Sequence, residues 1–245
     1  MSRDGTSFSG RPSFRMPELE RLPGIFHLFL GKAVDPAGPD ANEDGLFPRP
    51  FTQERMVRLR QVHGTRIAGA MRAEGGAPPG VVEADGAITD EPGLLLRVGV
   101  ADCLAIFLVD PEGPMIGLVH AGWRGLAAGA VETAVAALED RGARSARLVA
   151  AVGPSIGPCC YEVGEDVARA LGPGAHPGLG PSGRPHVDLF GDARARLLAA
   201  GVPGARIAPR PPCTACSEMA FHSHRASGGL PGRNEAFLGI RPGRP

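Results

Sequence analysis

The sequence lacks the features that mark several specialised classes of protein. Its 26 basic and 26 acidic residues give no net charge, which argues against a general binder of nucleic acids or anionic membranes. No apolar run approaches the ~20 residues of a membrane span, and the polar N-terminus has no apolar core of a secretory signal. Five cysteines are too few for a disulfide scaffold in a chain of this length. We therefore expect a cytoplasmic protein that binds neither nucleic acid nor membrane.

The composition is that of a globular chain with many loops. Hydrophobic residues make up 43% of the 245 residues, which is enough for a packed core. Glycine and proline are frequent, at 36 and 25 residues, and they predict loop-rich surface stretches. Residues 1–20 are polar and rich in arginine and serine. We expect a loosely ordered extension there and a single domain over 21–245.

Apolar runs and helical spacing predict an α+β chain. Residues 93–109 are almost continuously apolar, which indicates strands buried on both faces, and 115–119 predict the next strand of a hairpin. Helical spacing marks 51–62 and 126–138, and Asp188 can cap a further helix. Because strands and helices mix without strict alternation, we expect α+β rather than a doubly wound sheet.

Three side chains with metal-binding chemistry lie within, or at the ends of, apolar strand-like runs. They are His63, Cys103 and His120, and two imidazoles with one thiolate match a catalytic zinc site that keeps an open position. Zinc in such a site activates a water molecule or polarises an oxygen. Asp102 is a candidate for proton transfer or for a hydrogen bond to a ligand. We nominate all four residues as catalytic, and the first three as metal ligands.

The same residues are compatible with chemistry that needs no metal. Cys103 can act as a thiolate nucleophile with His120 or His63 as its base, which would make the protein a Cys–His hydrolase or transferase. A buried cysteine is also often no more than a small hydrophobic side chain. The residues alone leave these alternatives open.

The other four cysteines give a weaker signal. Cys213-x-x-Cys216 has the spacing of metal and redox sites, yet the sequence holds no second such pair and the flanking residues are rich in proline. We interpret these two residues as structural thiols. Cys159 and Cys160 are adjacent and can pair with each other only with strain, so we expect them to line a loop.

A polar cluster lies near the C-terminus. His222 and His224 are separated by one residue, a spacing that places both imidazoles on one face of a strand. Arg225 and Arg233 lie in a glycine-rich segment and can bind a phosphate or a nucleoside hydroxyl. We nominate His224, Arg225 and Arg233 as substrate-binding residues.

Several stretches together resemble one known family. They are Gln61-Val62-His63-Gly64-Thr65, Ala101-Asp102-Cys103-Leu104, His120-Ala121-Gly122-Trp123-Arg124-Gly125, Gly153-Pro154-Ser155-Ile156-Gly157-Pro158-Cys159-Cys160-Tyr161-Glu162-Val163, and Cys213-Thr214 with Phe221-His222-Ser223-His224-Arg225 and Gly232-Arg233. In this order, and over 24–241, the chain resembles the YfiH-type family. That family is also called the laccase-domain or multicopper polyphenol oxidase-like family, and its members are also named purine nucleoside phosphorylases.

The resemblance implies a fold, a metal and an activity. The fold would be a layered α/β/β/α sandwich with mixed β-sheets, related to a bacterial toxin cysteine-hydrolase domain. The metal would be zinc, bound by His63, Cys103 and His120. The activities would be phosphorolysis of adenosine, inosine, guanosine and methylthioadenosine, and deamination of adenosine, with purine nucleosides and phosphate as partners. The alternatives are a metal-free Cys–His hydrolase acting on an amide such as a peptidoglycan precursor, and a non-catalytic metal-binding module.

The sequence departs from the family pattern in three places. The segment Phe29-Leu30-Gly31-Lys32 lacks the arginine of the usual Arg-x-Gly-Gly turn, Ala101 replaces a frequent threonine, and His224 stands where a tyrosine-like residue is usual. These changes bear on substrate preference. The name laccase implies several copper ions held by more histidines than the seven present. We therefore expect a single site of two nitrogens and one sulfur that suits zinc, although copper would bind it too.

Overall fold

The strands and helices are known for most of the chain. The computed structural model describes residues 7–8, 11–32, 47–49, 51–70, 80–113, 115–171, 175 and 178–243. The strands are β1 (Ser7–Phe8), β2 (Arg11–Phe14), β3 (Ile25–Leu30), β4 (Met56–Val57), β5 (Leu59–Arg60), β6 (Ile67–Gly69), β7 (Val82–Glu83), β8 (Gly86–Thr89), β9 (Leu95–Val100), β10 (Leu104–Asp110), β11 (Met115–Ala121), β12 (Val149–Val152), β13 (Gly178–Leu179), β14 (Pro185–His186) and β15 (Asn234–Ile240). The helices are α1 (Pro17–Glu20), α2 (Trp123–Ala127), α3 (Ala130–Glu139), α4 (Glu165–Ala170) and α5 (Leu189–Ala199).

Two mixed sheets form the body of the described chain. One has the order β1-β2-β3-β15-β9-β4, and the other has the order β12-β10-β11-β8-β6. Most neighbours are antiparallel, but β4 runs parallel to β9 and β6 runs parallel to β8. The predicted hairpin is confirmed, since β10 and β11 pair from Leu104↔Ala121 to Asp110↔Met115.

The two sheets pack face to face, and strand β10 shows how the sequence achieves this. Phe107 and Val109 point toward the six-stranded sheet and belong to the core between the sheets. Ile106 and Leu108 point the other way, into a second core beneath the helices. Because successive side chains of a strand alternate in direction, a strand buried on both faces is apolar at every position.

Helices cover the outer face of the five-stranded sheet. In α3, Val131, Val135 and Leu138 share one face and enter this core, which is the spacing of an amphipathic helix. The side chain of Asp188 accepts a hydrogen bond from the Gly191 amide at 2.9 Å, so it caps α5 as predicted. On the outer face of the six-stranded sheet, the described residues add an aromatic cluster that includes Phe47.

The expected layered mixed α/β fold is confirmed. Two stacked mixed sheets, with helices on the outer face of the five-stranded sheet, agree with the layered sandwich that the resemblance implied. Within the part of the chain that the structure describes, no helix is long and apolar enough to cross a membrane. The single domain over 21–245 stays a prediction.

Two segments differ from the sequence-based expectation. Residues 11–20 pack firmly, because β2 pairs with β3 and Leu19 is fully buried. The predicted helix over 51–62 is wrong: β4 lies in this segment and pairs parallel to β9. In both places pairing with strands distant in sequence overrides the local pattern.

Burial in the core between the sheets predicts that truncating a core side chain lowers the stability of the protein. Leu118 is fully buried there, so Leu118→Ala should lower the free energy of unfolding by about 2–5 kcal/mol, through lost burial and a residual cavity. Leu179→Ala is the matched control, because Leu179 is 77% exposed and its loss should cost less than about 0.5 kcal/mol. Urea unfolding measures both, and equal losses would contradict the packing described.

Candidate metal centre and active site

Three elements distant in sequence bring the nominated ligands together. His63 lies in the turn after β5, Cys103 lies between β9 and β10, and His120 lies in β11. Their ligand atoms all lie within 4.8 Å of one another. The two imidazole rings are nearly perpendicular, at 87°, with centroids 4.8 Å apart.

A buried carboxylate, Asp85, fixes two of these ligands. It accepts hydrogen bonds from the backbone amides of His63 and Gly64 at 2.8 and 2.7 Å, and a longer one from Val62. It also binds Nδ1 of His120 at 2.9 Å. Burial alone would raise the pKa of Asp85, but these donors lower it to about 2. The ionised group therefore stabilises the fold above pH ~4, and this contribution is lost as the pH falls toward 2.

The contact with Asp85 uses only one of the two ring nitrogens of His120. With a proton on Nδ1, the lone pair of Nε2 is available to a metal, which is the usual arrangement of a metal-binding histidine. Burial alone would lower the pKa of His120, but hydrogen bonds with Asp85 and Cys103 raise it to about 9 in the metal-free protein. Burial raises the pKa of Cys103, and the hydrogen bonds and charges of His120 and His63 outweigh it and lower the value to about 7.

Backbone strain marks two residues of the site. Among the described non-glycine residues, only His63 and Asp102 have positive φ, at 61° and 82°. Such conformations cost about 1–3 kcal/mol and persist where the surroundings over-determine them. Asp102 is held in this way, because its carboxylate accepts from the Thr214 hydroxyl at 2.6 Å and from the Arg225 amide at 2.7 Å. Its backbone carbonyl accepts from the Ile156 amide at 3.0 Å.

Close packing explains the glycine that follows β11. A Cβ on Gly122 would lie 2.9 Å from Sγ of Cys103 and 3.5 Å from Cδ2 of His63, so a larger residue would displace a ligand. Gln61 links the segment before His63 to β9. Its side-chain amide donates one hydrogen bond to the backbone of Gly99 and accepts another from it, both at 2.9 Å.

The three ligands line a cavity of about 580 Å³, a size typical of small-molecule sites. Its other polar lining residues include Gln61, Arg58, Arg97, His224 and Arg233. The cavity therefore combines a potential metal centre with several cationic groups, an arrangement suited to an anionic or partly anionic ligand.

The remaining nominated residues divide into two groups. Arg233 and His224 line the cavity, and Arg225 is not among its lining residues. The guanidinium of Arg225 instead lies over the Tyr161 ring and donates to the backbone carbonyl of Glu162 at 2.6 Å. His222 also lies outside the lining, and residues 222–224 do not form the expected strand.

Sequence reasoning missed Asp85, Arg58 and Arg97 as parts of this site. Asp85 is one acidic residue before a short strand, and no spacing relates it to His120. Arg97 points out of an apolar strand, where its Nε donates to Glu235 at 2.9 Å. A charged residue in an otherwise apolar strand was the one signal available for Arg97.

The donor set fits zinc. Two imidazoles and one thiolate within mutual reach suit this ion, and three protein ligands leave a position open. The Asp85–His120 contact supplies the outer hydrogen bond that orients such ligands. The arrangement of these side chains therefore supports a metal centre at this position.

Comparison with known proteins assigns the chain to a family. The profile of the family described as Multi-copper polyphenol oxidoreductase laccase matches residues 40–241. The chain therefore belongs to this laccase-like, YfiH-type family, as the resemblance predicted.

Relatives of the chain carry enzyme names. A purine nucleoside phosphorylase of Deinococcus radiodurans is 38% identical over 250 residues, covering 94% of each chain. A protein named adenosine deaminase, from an unknown prokaryotic organism, is 36% identical over 200 residues, covering 76% of this chain and 74% of its own. The crystal structure of YlmD from Geobacillus stearothermophilus matches with a TM-score of 0.79 and 31% identity, over 97% of this chain and 98% of that one. These likenesses support an enzyme of this family.

The contacts of Asp85 predict a selective loss of metal binding. Asp85→Asn removes the charge that holds His120 and the 62–64 turn, so zinc affinity should fall by about 10–100-fold. The control is Asp110→Asn, because Asp110 is equally buried and is held by Arg147 away from the cavity. Both variants should lose stability, and only the first should lose zinc affinity in competition with a chelator. Similar zinc affinity in the two variants would refute the assignment.

The shifted pKa values predict a pH dependence of metal binding. Zinc needs a neutral His120 and an ionised Cys103, so these two ligands together release two protons below pH 7 and one between pH 7 and 9. Their contribution should make the affinity rise with pH, by about tenfold per unit between pH 7 and 9 and more steeply below pH 7. Calorimetric titration of the metal-free protein measures this slope. In Cys103→Ser the slope below pH 7 should decrease by about one proton, and a pH-independent affinity would contradict the electrostatics.

Proposed function

We propose that this chain is a zinc-dependent purine nucleoside phosphorylase that accepts methylthioadenosine and also deaminates adenosine. The observation that carries the proposal is the single cavity that combines His63, Cys103 and His120 with arginine side chains. A nucleoside needs an enclosed volume of this order, and phosphate needs guanidinium donors. The names of the relatives point to the same pair of reactions.

The arginines of the cavity differ in their availability to phosphate. Arg97 is ion-paired with Glu235, so part of its charge is already compensated. Arg58 and Arg233 are exposed, and within the described residues neither forms a salt bridge. We assign phosphate binding to Arg233 and Arg58, with Arg97 contributing to the positive potential.

Phosphorolysis requires these groups to hold phosphate beside the ribose of the nucleoside. A phosphate oxygen forms a bond to C1′ of the ribose while the bond from C1′ to the purine nitrogen breaks, which yields ribose 1-phosphate and the free base. Guanidinium groups hold the phosphate in place for this displacement, and His224 at the cavity wall is available to the nucleoside. When bound by His63, Cys103 and His120, zinc supplies a Lewis acid.

Asp102 is better suited to positioning than to proton transfer. Its two carboxylate oxygens already accept hydrogen bonds from Thr214 and Arg225, and it does not line the cavity. We propose that Asp102 holds the turn that presents Cys103. Arg225 contributes to the same turn through its backbone amide, rather than through its guanidinium.

One observation favours a second candidate function. The two imidazoles lower the pKa of Cys103 to about 7, which is the condition of a thiolate nucleophile. A metal-free Cys–His hydrolase acting on an amide would use the same triad. Covalent labelling of Cys103 in active, metal-free protein would support that alternative and overturn the zinc proposal.

The proposal predicts turnover that depends on phosphate. Zinc-loaded protein incubated with adenosine, inosine or methylthioadenosine should release the free base only when phosphate is present, and adenosine should also yield inosine. His63→Ala, Cys103→Ala and His120→Ala should each lower kcat/KM by more than the ~10–100-fold typical of an outer partner. Chromatography resolves the products, and variants as active as the wild type would refute the site.

Two arginine variants separate substrate binding from positioning. Arg233→Ala should raise the KM for phosphate by about 10–150-fold, since a hydrogen bond to a charged group contributes about 1.5–3 kcal/mol. Arg225→Ala keeps the backbone amide that binds Asp102 and should change this KM much less. If Arg225→Ala has the larger effect on KM, the assignment of the two residues is reversed.

A further inference from the structure

Four cysteines outside the candidate active site converge in space. Cys159 and Cys160 lie in the loop after β12, and Cys213 and Cys216 lie in the segment before β15. All four sulfur atoms lie within 4.8 Å of one another, and Sγ of Cys159 is 3.5 Å from Sγ of Cys216. None of the four forms a disulfide. We call this group the four-cysteine cluster.

The sulfur spacing is that of a closed metal site. Zn–S bonds of about 2.3 Å place the sulfurs of a tetrahedral site about 3.8 Å apart. Distances between 3.5 and 4.8 Å bracket this value and exceed the ~2.05 Å of a disulfide. Thiols are weak hydrogen-bond partners, so the convergence of four is poorly explained by contacts between the thiols themselves.

The backbone around the cluster supports the same geometry. Each pair sits on a turn, and the two turns are joined by a parallel bridge between Ser155 and Cys213. The amide of Gly157 donates to Sγ of Cys213 at 3.2 Å, a contact that favours a sulfur carrying negative charge. A Cβ on Gly157 would lie only 3.2 Å from Sγ of Cys159, so glycine keeps the space around the sulfurs open.

We propose that Cys159, Cys160, Cys213 and Cys216 bind a second zinc ion, which is structural. Four thiolates select zinc among the common hard and borderline ions, and a complete set of protein ligands leaves no position for a substrate. Binding displaces the protons of the thiols that are still protonated and changes no oxidation state. This site shares no residue with the first one and does not depend on the proposed phosphorylase activity.

Hydrogen bonds also connect the cluster to the active site. Thr214 lies between its two C-terminal cysteines and donates to the carboxylate of Asp102 at 2.6 Å. Ile156 lies just before its N-terminal pair and donates to the backbone carbonyl of Asp102 at 3.0 Å. An ion that joins the two loops therefore fixes both supports of the strained residue that precedes Cys103.

Metal stoichiometry tests the proposal. Elemental analysis of the purified holoprotein should give two zinc ions per chain, and Cys216→Ser and Cys160→Ser should each give one. Cys103→Ser is the matched control, because it should also give one but keep the ion of the cluster. In cobalt-substituted protein, the thiolate-to-cobalt absorption should stay strong in Cys103→Ser and fall to the level of a single thiolate in Cys216→Ser.

A measurement on the wild type tests the proposal even if the variants fail to fold. In the native holoprotein the four cysteines should resist alkylation, and all should react after chelation and unfolding. Three results would overturn the proposal. They are iron in place of zinc in the elemental analysis, rapid alkylation of the four thiols in the holoprotein, and a protein mass lower by two hydrogens for each disulfide formed. If the phosphorylase assay fails, the metal content and the alkylation pattern still test the cluster. Cys103→Ser removes a ligand of the first site and leaves all four cysteines of the cluster in place.

Discussion

The buried carboxylate of Asp85 holds two of the three ligand-bearing segments at once. An isolated charge in this position would cost several kcal/mol of desolvation, and the amides of 62–64 together with His120 offset that cost. Asp85 directly precedes β8, which pairs with the β11 strand that carries His120. The turn that carries His63 is thereby tied to the five-stranded sheet. The negative charge of Asp85 lies on the far side of the His120 ring from the position of a metal ion.

The two residues of the site with strained backbones both lie in turns that hydrogen bonds hold in place. His63 and Asp102 adopt left-handed conformations at the two turns that deliver His63 and Cys103. Each turn is held by hydrogen bonds from elements distant in sequence, which is the condition under which such strain persists. For Asp102 two of the three supports, the contacts with Thr214 and Ile156, come from the two loops of the four-cysteine cluster, so residues that do not line the cavity hold the turn that presents Cys103.

Some of this could be predicted from the sequence, and the reason for the rest is physical. The apolar run over 93–109 and the cap at Asp188 are local signals, and both gave correct elements. The ligand triad could be nominated because two imidazoles and one thiolate are the donor set of a catalytic zinc site. The strand β4 was missed because its pairing with β9 is not local. The convergence of the four cysteines was missed because the contacts that join the two pairs, such as the bridge between Ser155 and Cys213, link segments that are distant in sequence.

The two cysteine-containing sites differ in a way that bears on the family's oxidase name. The cluster offers four sulfurs and suits a structural ion, whereas the triad offers three ligands beside a cavity of about 580 Å³. Oxidation by several coupled copper ions needs several histidine-rich groups near one another. Within the described ranges, only one group that could hold a metal contains histidine. The donor chemistry therefore favours a single Lewis-acid centre over an electron-transfer chain, and the arginines around it favour an anionic co-substrate.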